Sequence, residues 1–66
     1  MSPAPLVWPV FAVVDGRFLA GRAQWDVKSD VLVVSVRGGI TLSARVRRDD
    51  CRAVAKQLLA ALEWRA

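Results

Sequence analysis

Only one segment of this chain repeats its apolar residues at helical spacing, and it is the last one. Cys51, Val54, Ala55, Leu58, Leu59 and Leu62 recur at i, i+3, i+4, i+7, i+8 and i+11, which puts them on one stripe of an α-helix. Asp49 reads as its N-cap and Asp50 as a first-turn acid facing the positive end of the helix dipole. The helix is therefore expected from about Asp50 to Trp64. A single amphipathic helix must bury its stripe against a complementary apolar surface. The residues before it have to supply that surface as sheet.

Those residues divide at turn signals. LVWPVFAVV, Leu6 to Val14, and RFLAGRA, Arg17 to Ala23, flank Asp15-Gly16. Asp-Gly between β-prone runs is a hairpin signal, because a type I′ turn needs positive φ at both central residues. A two-residue turn pairs Val14 with Arg17, Val13 with Phe18 and Ala12 with Leu19. One face then carries Phe11, Val13, Phe18 and Ala20, and the other Trp8, Val10, Ala12, Val14 and Leu19. Neither face is polar, so the hairpin calls for cover on both sides. Pro9 places the first strand at an edge or puts a bulge in it.

WDVKSD, Trp25 to Asp30, reads as the end of the second strand followed by a turn. VLVVSVR and ITLSARVR then flank Gly38-Gly39. A two-residue Gly-Gly turn would put Ile40, Leu42 and Ala44 on the face of Arg37, Ser35 and Val33. A three-residue loop, Arg37 to Gly39, instead pairs Val36 with Ile40, Val34 with Leu42 and Leu32 with Ala44. The second register makes one clean apolar face and is the one expected. The fold class that follows is α+β: an antiparallel β-sheet packed on one C-terminal α-helix, in the order β-β-β-β-α. Four strands are expected, with three as the alternative count. Residues 1–5 read as a leader and residues 6–66 as a single small domain. The topology of four antiparallel strands and a C-terminal helix is similar to that of dimeric single-stranded-DNA-binding coactivators, and a similar sheet with a helix occurs in integrase arm-binding domains, a likeness of fold alone.

Most chemistry is excluded by what the chain lacks. With one cysteine and no histidine among 66 residues, an intramolecular disulfide cannot form, and the usual zinc ligands and proton-transfer residue are missing. Cys51 reads as a small buried residue of the helix in a chain of the reducing cytoplasm. Asp15, Asp30, Asp49 and Asp50 serve turns or the helix start, and no pair of carboxylates is set across a cleft. Gly38-Gly39 lacks the Lys and helix of a phosphate loop. No enzyme activity, cofactor or metal is expected. The longest uncharged run, Met1 to Val14, contains three prolines and no basic start, so neither a membrane span nor an export signal is read there.

Surface recognition is what remains. Eight arginines and two lysines against five Asp and one Glu give a net charge of +4, a bias that favours polyanions. In the chosen register the sheet face away from the core presents Val31, Val33, Ser35, Thr41, Ser43, Arg45 and Arg47. The leading expectation is a small non-enzymatic module that binds nucleic acid through this face. Arg45 and Arg47 are its main contacts, Arg37 and Arg48 position the strand, Thr41 and Ser43 make short polar contacts, and Arg22 is a candidate neighbour. No aromatic platform for bases is expected on it, since Trp8 and Trp25 sit among apolar residues. The apolar share of 55% is high for a small domain, so self-association as a homodimer is also expected. The partner or dimer interface is assigned to Trp8, Phe11, Val13, Phe18 and Trp64, the last lying with Ala53 and Ala60 away from the leucine stripe. The alternative is a protein-interaction module or inhibitor, such as a phage- or plasmid-encoded accessory protein that binds a host protein.

Overall fold

The computed structural model describes residues 6–64, without the side chain of Trp64. The proposed leader, residues 1–5, and the docking role of the Trp64 indole lie outside the described residues. Four strands, β1 (Leu6–Val14), β2 (Arg17–Asp26), β3 (Val31–Val36) and β4 (Ile40–Arg45), lead through a short 3-10 turn (Arg48–Asp50) into one helix, α1 (Cys51–Trp64). The strands form one antiparallel sheet in the order β1-β2-β3-β4. This is the β-β-β-β-α arrangement expected from the pattern.

Turn chemistry sets the two hairpin registers. Asp15 and Gly16 both have positive φ, 53° and 73°, as a type I′ turn requires. Val14 pairs with Arg17, Val13 with Phe18 and Ala12 with Leu19. At the second hairpin Gly38 and Gly39 adopt φ of 99° and 82°, and the loop pairs Val36 with Ile40, Val34 with Leu42 and Leu32 with Ala44. Alternation thus chose the correct loop length.

The connection between β2 and β3 is a tight turn held by its own polar groups. The Asp30 amide donates to the Asp26 carbonyl oxygen at 2.9 Å, with Asp30 itself at φ 56°. The Asp26 carboxylate accepts from the Lys28 amide at 3.1 Å and from the Ser29 hydroxyl at 2.9 Å. These bonds favour the charged carboxylate and hold its pKa below the ordinary aspartate range, the amide bond from Lys28 contributing most. The turn brings Ala23 opposite Val34 and Trp25 opposite Leu32.

That register decides which hairpin face the helix covers. The core joins Val10 and Ala12 of β1, Ala23 and Trp25 of β2 and Leu32, Val34 and Val36 of β3 to Cys51, Ala55 and Leu59 of α1. The predicted helix stripe is the buried one. Leu32 and Val34 are fully enclosed, and removing such side chains from water contributes about 1.5–3 kcal/mol each. The other hairpin face stays open in the single chain: Phe11 is 64% exposed and Phe18 80%.

Two boundaries differ from expectation. Asp49 is not an N-cap. It lies with Asp50 inside the 3-10 turn, whose preceding residue is the extended Arg47, with no side-chain cap bond, so α1 starts at Cys51 with no acid in its first turn and Asp50 is not the first-turn acid expected. The Asp50 amide donates to the Arg47 carbonyl at 3.0 Å and the Cys51 amide to the Arg48 carbonyl, so backbone oxygens satisfy donors that a cap would have served. β4 also ends at Arg45 rather than Arg47. The Trp25 indole Nε1 donates to the Val46 carbonyl at 2.9 Å, and the Val46 amide donates to the Asp30 carbonyl at 2.8 Å. Val46 is thereby the last residue tied to the sheet, and the chain leaves it towards the helix.

Candidate nucleic-acid interface

Cross-strand partners point their side chains to the same face, so the face opposite α1 can be read row by row from the pairings. Val13 and Phe18 make the first row and Phe11 and Ala20 the second. Arg37 continues the second row, its amide donating to the Ala20 carbonyl at 3.0 Å. The third row is Pro9, Arg22, Ser35 and Thr41, the fourth Val7, Gln24, Val33 and Ser43, and the fifth Asp26, Val31 and Arg45. The face therefore grades from an apolar, aromatic corner at the first hairpin to a hydroxyl-bearing, basic region on β3 and β4.

Thr41, Ser43 and Arg45 lie in line on β4 and are exposed, as expected. Arg47 and Arg48 are exposed but lie beyond the strand, which removes Arg47 from the β4 row. Arg37 sits in the β3–β4 loop at the far end of the same face. Arg22, only a candidate neighbour in the sequence, occupies the middle of the sheet. Arg22 and Arg37 line one shallow, open depression of about 520 Å³ whose floor includes Ala20, Gln24, Val33 and Ser35. The cross-strand neighbours of the two arginines, Ser35 beside Arg22 and Ala20 beside Arg37, carry small side chains. Asp26 is the single carboxylate among the rows, at one end and engaged by its own turn.

The expectation that this face lacks an aromatic platform is corrected. Phe11 and Phe18 are diagonal neighbours on it, about 7–8 Å apart by sheet geometry and so within reach of one another's rings. Trp25 is buried at 4% exposure and serves the core. Trp8 is half-buried on the helix side, with the Arg52 guanidinium 5.0 Å from its ring centroid. The residues assigned together as a partner surface are thus split: Phe11, Val13 and Phe18 belong to the open face, and Trp8 does not. Their signal in the sequence was the hairpin alternation, but placing them beside the arginines required the β2–β3 register.

Among the described residues the side chains that enter hydrogen bonds are Trp25, Asp26, Ser29 and Glu63. The open-face arginines enter no internal hydrogen bond among the described residues. Their forks are free for planar acceptors such as phosphate or a base edge. No family model, no curated protein and no solved structure matches the chain, so the functional reading rests on this geometry.

Proposed function

We propose that the protein is a non-enzymatic module that binds single-stranded nucleic acid on its open sheet face. The observation that carries the reading is the placement of Phe11 and Phe18, 64% and 80% exposed, on the same face as Arg22, Arg37 and Arg45. Unpaired bases expose π-faces that stack on aromatic side chains, and their backbone is tracked by cationic groups. A duplex hides its bases within the stack, and two exposed phenylalanines would then meet no partner. In this reading Phe11 and Phe18 stack bases, and Arg22, Arg37 and Arg45 hold phosphate. Thr41, Ser43, Ser35 and Gln24 contact base edges or sugars, and Arg47 and Arg48 extend the cationic track beyond β4. Among the described residues no helix is long and apolar enough to cross a membrane. The free, buried Cys51 supports a cytoplasmic location.

The test is a titration of labelled single-stranded and duplex oligonucleotides followed by fluorescence anisotropy. Single strands are expected to bind more tightly than duplex. With about four phosphates contacted, the salt slope is about −3, so affinity falls roughly fifty-fold between about 50 and about 200 mM salt. Failure to bind any single strand at the lower salt overturns the proposal. A second reading, docking of a protein partner, is favoured by the unpaired outer edge of β1 beside Val7, Phe11 and Val13. A partner recovered from lysate equally well with and without nuclease would support it over nucleic acid.

A further inference from the structure

The outer edge of β1 has a defined phase. The Val13 amide donates to Glu63 Oε1 of α1 at 2.9 Å, so it points away from β2, and by alternation the backbone groups of Val7, Pro9 and Phe11 point the same way. Pro9 has no amide hydrogen, and its nitrogen falls at an outward position, so it costs the β1–β2 ladder nothing. The edge offers the amides of Val7 and Phe11 and the carbonyls of all four residues, and the Val13 amide is held by Glu63.

The edge also carries charge of opposite sign at its two ends. α1 runs in the same direction as β1, with Arg52 over Trp8 and Glu63 at Val13. Between them an apolar groove of about 420 Å³, lined by Trp8, Phe11, Ala55 and Leu59, has Arg52 and Lys56 on its rim. Parallel alignment of two such edges would set like charges together. Antiparallel alignment sets Arg52 and Lys56 of each copy against Glu63 of the other.

We propose that two copies of this chain pair β1 to β1 about a two-fold axis beside Val10, with Val7 opposite Val13 and Pro9 opposite Phe11. Among the described residues this register makes about six backbone hydrogen bonds, against about four when the strands are shifted one step either way, because each shift spends more positions on Pro9 or on residues beyond the strand. The Val13 amide passes from Glu63 to the Val7 carbonyl of the second copy, and the released carboxylate meets Arg52 and Lys56 across the axis. In the single chain Glu63 blocks the edge against indiscriminate strand addition. In the dimer it selects the antiparallel partner. The product is an eight-stranded sheet with both helices on one side, and with Phe11 and Phe18 of both copies central on the other. The pairing does not depend on nucleic-acid binding.

The experiment is sedimentation of the full chain and of two charge variants at micromolar concentration, with circular dichroism to verify folding. Glu63→Lys alone and Arg52→Glu/Lys56→Glu alone are each expected to weaken the dimer about tenfold or more, since each sets like charges together. Mixed, they restore a heterodimer, because both charge clusters are then opposite in sign. Register is read separately: Val7→Cys and Val13→Cys are each expected to stay uncrosslinked, and to form a disulfide when mixed, since directly opposed residues lie about 5.5 Å apart at Cα. A monomeric full chain would leave the edge to an extended segment of another protein and overturns the proposal. So does a dimer whose two charge variants fail to recover on mixing, or whose cysteine variants fail to crosslink.

Discussion

Replacing Phe18 with Ala separates binding from folding, because the side chain is 80% exposed. Only about a fifth of a surface of roughly 200 Å² is covered, so truncation returns about 40 Å² to water and costs about 1 kcal/mol at most. For a domain of this size that lowers the melting temperature by about 4–8 °C, which leaves the chain folded at room temperature. Loss of one base–aromatic stack removes about 1–3 kcal/mol of binding, or roughly 5- to 150-fold in affinity. The binding effect therefore equals or exceeds the folding effect, and the two are read independently. Anisotropy titration with a labelled single-stranded oligonucleotide gives the first, and thermal unfolding the second. Phe18→Trp is expected to bind as well as the natural protein, and Gln57→Ala, on the exposed side of α1, to change nothing. If Phe18→Ala bound within twofold of the natural protein while Gln57→Ala behaved as a control, stacking on this face would be refuted.

Three further outcomes follow from the geometry. Gly21→Ala would put a Cβ 2.2 Å from the Ser35 carbonyl oxygen and 2.7 Å from Val36 Cγ1, so β2 and β3 must part; a loss of about 1–3 kcal/mol is expected in denaturant unfolding. Trp25→Phe keeps most of the buried ring but strips the Val46 carbonyl of its donor, with an expected loss of about 1–3 kcal/mol and earlier amide exchange at Val46. Asp26 titrates below the ordinary aspartate range because the Lys28 amide, the Ser29 hydroxyl and the Lys28 charge favour its ionised form. The stability it lends is therefore complete above the unfolded pKa and lost as pH falls through the lower folded one. Carboxyl chemical shifts followed through that range test the direction, and a midpoint above the ordinary value would contradict it.

The parts of this fold legible in the sequence were those written in local chemistry. Asp15-Gly16 and the alternation around Gly38-Gly39 specified two hairpins to the residue, and the Cys51-to-Leu62 spacing specified the buried helix stripe. The β2–β3 register was not legible. It depends on Asp30 taking a left-handed conformation and on Asp26 bonding its own turn, and VKSD carries no two-residue hairpin signal. Without it the covered face of the first hairpin stayed open, so Phe11 and Phe18 were grouped with Trp8 rather than with the arginines. Arg47 was misplaced because β4 ends where the Trp25 indole takes the Val46 carbonyl, a contact between residues 21 apart. Asp49 was misjudged because the helix starts through backbone bonds of a 3-10 turn. On the candidate site, alternation put Thr41, Ser43 and Arg45 in one row, and only the assembled sheet set Arg22 in the middle of that face and the aromatic pair beside it.

Backbone amide shifts of labelled protein titrated with a short single-stranded oligonucleotide report residue by residue whether the open sheet face meets single-stranded nucleic acid. Saturable shifts are expected at Phe11, Phe18, Arg22, Ser35, Arg37 and Thr41, with little change along the outer side of α1 at Ala53, Gln57 and Ala60. Shifts confined to the helix, or none at low salt, would contradict that contact.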